Sequence, residues 1–178
     1  SLTNFNPTIT VSGNLLLTVE DSTFYQNIGN WITSNATLTA SNEQVPVNTD
    51  AVIDDVYSGK VTAASGSSYI TLGANYPITR GVPVNSETVY TIGFNVKSPT
   101  SAGNVTMTVT WYNKDGQSIS STSGSALSAN NTWKTQWTDV TSPANAVYAS
   151  LKFAFSASGV YYLDQIDLHQ GTTHVYNE

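Results

Sequence analysis

Val89-Tyr90-Thr91-Ile92-Gly93-Phe94-Asn95-Val96 alternates with a period of two, and Val105-Thr106-Met107-Thr108-Val109-Thr110-Trp111-Tyr112 repeats the pattern. In the first run Tyr90, Ile92, Phe94 and Val96 face one way and Thr91, Gly93 and Asn95 the other. In the second, Val105, Met107, Val109 and Trp111 face inward, and Thr106, Thr108, Thr110 and Tyr112 outward. Successive side chains of a strand point to opposite faces, so each run reads as a half-buried β-strand. Asn113-Lys114-Asp115-Gly116 follows the second run. Asp-Gly supplies the positive-φ residues of a tight turn, which predicts a hairpin there.

Outward from these runs the pattern persists. Residues 147–155 set Val147, Ala149, Leu151, Phe153 and Phe155 against Tyr148, Ser150 and Lys152. A last strand is expected over 161–168, and others over 36–40, 60–64, 68–72 and 134–140. No stretch of any length carries the 3.6 period of a helix. Eight main strands, broken by Gly, Asn, Ser and Pro, predict an all-β sandwich with a jelly-roll strand count. Residues 1–13 are polar and turn-rich, with Pro7, and read as a linker or lead-in strand. Residues 14–170 read as one domain and 171–178 as a C-terminal linker. The 178 residues are enough for one real core.

Only 10% of the residues are charged, well under the roughly 25% of an average soluble protein. Ser, Thr, Asn and Gly take their place. Such a surface offers hydrogen bonds without strong fields, which suits neutral ligands such as sugars. It does not suit nucleic acid. Phosphate binding needs a basic patch, and here 6 Lys and Arg face 12 Asp and Glu, for a net charge of −6. Cysteine is absent, so there is no disulfide framework, thiolate metal site or Cys nucleophile. No apolar run reaches about 18 residues, so no membrane-spanning helix is expected. The start at Ser1 reads as that of a piece cut from a longer chain, so the lack of a signal peptide there carries no weight.

Several short motifs stand in a telling order. Asn14-Leu15-Leu16 comes first, then Gly29-Asn30-Trp31, then Val82-Pro83 before Val89-Tyr90-Thr91. Trp111-Tyr112-Asn113-Lys114-Asp115-Gly116, Thr132-Trp133, Ser142-Pro143-Ala144 and Tyr161-Tyr162-Leu163-Asp164-Gln165-Ile166-Asp167-Leu168 follow. In this order, over roughly residues 14–170, the chain resembles jelly-roll carbohydrate-binding modules of the family 4/9/22 type. Such modules occur in phage tail and baseplate proteins (evolved distal tail or tail-tip proteins) and in secreted glycoside hydrolases. The resemblance implies a two-sheet antiparallel jelly-roll β-sandwich of the galactose-binding-domain-like kind. It also implies a structural calcium ion, with Asp164 as the ligand from the closing strand. At the matching N-terminal position Tyr25 stands where a Glu is usual, and Glu20 and Asp21 are out of register. Calcium needs several oxygen ligands, and the other role for Asp164 is to cap loop backbone.

Sugar recognition joins an aromatic face, which stacks on pyranose C–H groups, to planar polar side chains that bond hydroxyls. With the usual jelly-roll order, the strands at Lys60, Val89, Val105 and Val147 share a sheet. Its outer face is then expected to carry Thr91, Gly93, Asn95 and Lys97, with Thr106, Thr108, Thr110 and Tyr112, and with Tyr148, Ser150 and Lys152. Tyr112, Tyr148, Asn95, Lys97 and Lys152 are the candidate sugar contacts there; an ordinary solvated Thr/Ser face is the alternative. Trp137 is a second lead. If Val140 points inward, Trp137 points out, onto the other sheet, and an exposed Trp marks a binding surface. A bulge would turn it into the core instead. Trp31, Trp111 and Trp133 are assigned to the core or its ends.

Catalysis finds little support. Asp54-Asp55 and Glu20-Asp21 are adjacent pairs in expected loops, whereas a glycosidase needs two carboxyls across a cleft. No G-x-S-x-G turn surrounds a Ser. His169 and His174 lie five apart, which is not a helical metal spacing, and read as exposed tail residues. The expected function is therefore non-catalytic binding of polysaccharide or oligosaccharide on a bacterial host surface. The expected partner is a parent tail protein, and the expected place a virion tail or the extracellular space, with no membrane insertion. The alternatives are a structural spacer or decoration domain, and a plant-polysaccharide module of a secreted glycoside hydrolase.

Overall fold

The computed structural model describes residues 13–16, 18–46, 56–73 and 81–176. The lead-in before Gly13 and the Asp54-Asp55 pair lie outside the described residues. The strands are β1 (Ile32–Ser34), β2 (Ala36–Ser41), β3 (Ser58–Ala63), β4 (Tyr69–Leu72), β5 (Val82–Pro83) and β6 (Val89–Lys97). They continue with β7 (Asn104–Tyr112), β8 (Ser118–Ser123), β9 (Leu127–Ser128), β10 (Lys134–Thr141), β11 (Tyr148–Phe155) and β12 (Gly159–Gln170). Two antiparallel sheets result. One has the order β1-β4-β11-β7-β8, with β5 beside β11 and β9 beside β7. The other has the order β10-β6-β12-β3-β2. This is the expected jelly-roll β-sandwich.

The alternating runs place the core as their parity requires. Tyr90, Ile92, Phe94 and Val96 of β6 are buried against Val105, Met107, Val109 and Trp111 of β7 and Ala149, Leu151, Phe153 and Phe155 of β11. Rings join the two layers: Phe94 meets Phe153 edge-on at 4.8 Å, and Phe155 meets Tyr161 at 4.7 Å. The eight expected strands all form, within a few residues of their expected ends. After β7, Gly116 takes a φ of 76° and its N–H donates to the Asn113 carbonyl, as the Asp-Gly turn requires.

Three expectations need correction. First, a helix exists: α1 (Val19–Thr23). It is a single turn, too short for a period to show. Thr18 caps it through its side-chain oxygen, which accepts from the Asp21 N–H. Second, β1, β5, β8 and β9 were not expected. β8 is exposed at every position, so it has no apolar face to signal a strand. Third, the strands at Lys60, Val89, Val105 and Val147 do not share a sheet. β3 and β6 lie in the five-stranded sheet, β7 and β11 in the seven-stranded one. Alternation tells which side of a strand is buried, but not which strand lies beside it.

Two of the quoted motifs explain themselves in the fold. Asn14-Leu15-Leu16 lengthens the five-stranded sheet: Leu15 N–H donates to the Leu168 carbonyl at 2.8 Å, and the Asn14 amide to that of Ile166 at 2.9 Å. Gly29-Asn30-Trp31 wraps the buried Asp21. Its carboxylate accepts from the Asn30 backbone and side-chain N–H groups, and its carbonyl from the Trp31 indole. Gly29 has φ 59°, and a Cβ there would meet the Asp21 carboxylate at 2.3 Å.

Candidate functional site

The outward side of the five-stranded sheet is unusual. An outward strand face is ordinarily solvated, yet Thr91, Asn95, Asp164, Asp167 and His169 are all buried there. Polar side chains converge on this face from β6, β10 and β12.

Gly93 lies at its centre, paired with Trp137 on one side and Asp167 on the other. Having no side chain, Gly93 lets the indole of Trp137 lie across the backbone. A Cβ at Gly93 would sit 2.2 Å from the ring. Trp137 thus points outward, half-buried, as Val140 parity predicted, with no bulge into the core. Two residues further along β6, about 7 Å by strand rise, Asn95 anchors an amide ladder. Its Nδ2 donates to Gln165 at 2.6 Å, and Thr135 donates to its Oδ1. Two more residues on, Lys97 donates to Gln44 at 2.7 Å. Beside it, Lys60 bridges Glu43 at 2.8 Å, and the Tyr162 hydroxyl donates to the same carboxylate at 2.6 Å. The Lys60 and Tyr162 hydrogen bonds hold the Glu43 carboxyl below its ordinary range. Burial raises the Tyr162 hydroxyl, and its bond to Glu43 adds to the rise.

The other end of the face is aromatic and titratable. His169 is buried on β12, not an exposed tail residue; its Nδ1 lies 2.9 Å from Asp167 and its Nε2 2.7 Å from the Thr173 carbonyl. His174 is exposed, but its ring lies nearly parallel to Trp137, 8° from coplanar with centroids 5.6 Å apart. Its Nε2 sits 2.8 Å from Asp139. That contact, followed by one from Thr91, lowers the Asp139 carboxyl.

The structure therefore brings Asn95, Lys97 and Trp137 onto one face and leaves Tyr112, Tyr148 and Lys152 on the opposite sheet. There Tyr148 is exposed beside Tyr112, its partner in register. Lys152 rests 4.3 Å over the Tyr69 ring. Thr108 and Thr110 bond Ser123 and Ser121, so much of that face is a ladder of hydroxyls satisfying one another. Trp31 and Trp111 are buried, and Trp133 is half-buried.

Sequence reasoning missed His169, His174, Gln165 and Tyr162. For His169 the reason is a bulge. Gln165 takes a φ of 48° and the register shifts between Asp164 and Asp167. Parity flips there, so Asp164 and His169 share a face although they stand five positions apart. A signal existed: Leu163 and Ile166 are both aliphatic and three apart, a spacing that unbroken alternation would put on opposite faces.

Asp164 is fully buried on β12, across from Asn95. Among the described residues no three His, Asp or Glu side chains gather as a metal site would need. Tyr25 is exposed and packs edge-on against Tyr57, and Asp21 is committed to Asn30.

The molecule has the jelly-roll fold of carbohydrate-binding modules. Among solved structures it is similar to the enzymatically active domain of tailspike protein 4 of bacteriophage CBA120, with TM-score 0.68 and 14% identity over 88% of this chain. It spans 22% of that tailspike chain. It is also similar to the CBM22-1 xylan-binding domain of Paenibacillus barcinonensis Xyn10C, with TM-score 0.64, 15% identity, and coverage of 90% of this chain and 97% of that one. A family 16 carbohydrate-binding module follows, with TM-score 0.60, 14% identity, and coverage of 87% and 99%. A scan of family models and a search of curated proteins find no match. At these identities the likeness is one of fold.

Proposed function

We propose that this chain is a non-catalytic module that binds polysaccharide through the outward face of its five-stranded sheet. One observation carries the reading: the Trp137 ring packs against Gly93, on the same face as the Asn95–Gln165–Thr135 amide and hydroxyl ladder. An aromatic plate followed by planar hydrogen-bonding groups is the chemistry that holds a pyranose chain. From Gly93 to Lys97 the face runs about 13 Å along one strand, long enough for an oligosaccharide. The opposite sheet offers Tyr148, but its hydroxyl ladder is already internally bonded. The proposal needs no calcium.

The xylan-binding neighbour supports polysaccharide as the ligand class. We further propose a place on a phage tail or outside the cell, where the module holds a host-surface glycan for a parent tail protein. The modest charge and absent cysteine fit that setting. We expect the affinity of a single module to be weak and to be raised by multiple copies.

The test is binding of fluorescently tagged protein to whole bacterial cells, competed by monosaccharides and by extracted wall polysaccharide. Binding that wall polysaccharide displaces supports the proposal. A well-folded protein that ignores every plausible host contradicts the host-surface part and favours the structural-spacer reading.

A further inference from the structure

We propose that Lys97 makes the glycan face selective for a chain that carries an anionic group, a carboxylate or a phosphodiester. The inference rests on the binding face proposed above and names the chemical class of its ligand.

Of the described lysines, Lys60 and Lys97 lie on that face, and only Lys60 has a carboxylate partner. Lys134 donates to the Ser128 carbonyl at 2.7 Å, and Lys152 rests over Tyr69 on the opposite sheet. Lys97 is half-buried at the end of β6, and its ammonium donates to the Gln44 side-chain oxygen at 2.7 Å. Gln44 is neutral, and an ammonium has three hydrogens to give. One bond to a neutral oxygen leaves the charge unmatched, and a partly desolvated charge gains most from an anionic acceptor. Glu43 does not supply it. Its carboxylate is taken by the Lys60 ammonium and the Tyr162 hydroxyl. Asp164 stands across from Asn95, two positions along β6 from Lys97, and is fully buried. Among the described residues no salt bridge joins it to Lys97.

The rest of the face gives the anion a direction. From Thr91 to Lys97 it runs about 20 Å along β6. Asp139 pairs in register with Thr91 at one end, and its side chain is exposed. An anion there would meet a carboxylate. In the middle Trp137, Asn95, Gln165 and Thr135 offer a ring, amides and a hydroxyl, which suit uncharged sugar. At the far end Lys60 and Lys97 together outnumber Glu43. A glycan that stacks on Trp137 and carries its anion a few sugars away, roughly 13 Å along the strand, satisfies all three zones. The chain has 6 Lys and Arg against 12 Asp and Glu, so no broad basic surface attracts anions elsewhere. The selectivity is local to Lys97.

The test separates bacterial wall polysaccharide into neutral and anionic fractions on an anion exchanger. Affinity for each is then measured for wild type, Lys97→Met, Lys97→Arg and Trp137→Ala. Wild type should bind the anionic fraction about tenfold more tightly than the neutral one. Lys97→Met should lose that preference, and Lys97→Arg should keep most of it. Raising salt from about 0.05 M to about 0.5 M should erode the wild-type preference, because salt screens a partly exposed charge. Reducing the carboxyls of the anionic fraction to alcohols tells the two sources apart. A preference lost with them assigns a carboxylate, and one that survives assigns a phosphodiester. Equal wild-type affinity for the two fractions overturns the inference, as does a preference that Lys97→Met retains. The binding face survives either result if Trp137→Ala weakens binding. Should Lys97→Met fail to fold, the wild-type comparison of the fractions decides alone. Binding to neither fraction, or binding that Trp137→Ala leaves undiminished, sinks the binding face and the inference with it.

Discussion

Gly93 and Trp137 make the proposed site together, and neither does so alone. Any side chain at Gly93 would fill the space the indole occupies, since a Cβ comes within 2.2 Å of its ring. Gly93→Ala should therefore lever Trp137 off the sheet. We expect a loss of about 1–3 kcal/mol in thermal unfolding, and weakened glycan binding with the core strands intact. A variant that melts and binds like the parent would mean the indole is not held where it lies. At this scale Trp137 was legible from the parity of Val140. The split of the other candidates was not: Asn95 and Tyr112 are both outward on good strands, and nothing in either strand tells which sheet it joins.

At the scale of elements, β12 organises the face. It runs between β6 and β3, and its bulge at Gln165 turns Asp167 and His169 to the same side as Tyr162 and Asp164. The three-residue step from Leu163 to Ile166 announces the bulge. The stacking of His174 on Trp137 has no such signal, because it joins a tail to a strand through a turn that only Gly171 hints at. Across from β12, Glu43 follows β2 and takes hydrogen bonds from Lys60 and Tyr162. Its carboxyl is lowered on folding, so its contribution is present above the ordinary carboxylate value of 4.5 and lost as pH falls through the lowered one. Glu43 is exposed, so the effect is small. Glu43→Gln should lower the melting temperature slightly at neutral pH, and the gap to wild type should close in that acid window. A gap that widens toward acid would have the wrong sign.

For the whole molecule, the sandwich was legible because β6, β7 and β11 carry alternating apolar runs from both layers, which meet in one aromatic core. Phe153 sits at that junction, 4.8 Å from Phe94 and 5.7 Å from Trp31. Phe153→Ala should cost about 3–5 kcal/mol by thermal or denaturant unfolding. Less than about 1 kcal/mol would mean the layers are not packed through it. What sequence could not fix was the assignment of strands to sheets, which decides whether candidate residues meet or stand back to back. That assignment is also what the functional proposal stands on. The measurement that tests it most directly is affinity electrophoresis through gels cast with bacterial wall polysaccharide, comparing wild type, Trp137→Ala and Tyr148→Ala. Binding on the five-stranded sheet predicts that wild type and Tyr148→Ala are retarded alike and that Trp137→Ala runs at least about tenfold weaker in affinity, a difference of about 1.4 kcal/mol. Retardation kept by Trp137→Ala and lost by Tyr148→Ala would contradict the account and move the site to the opposite sheet.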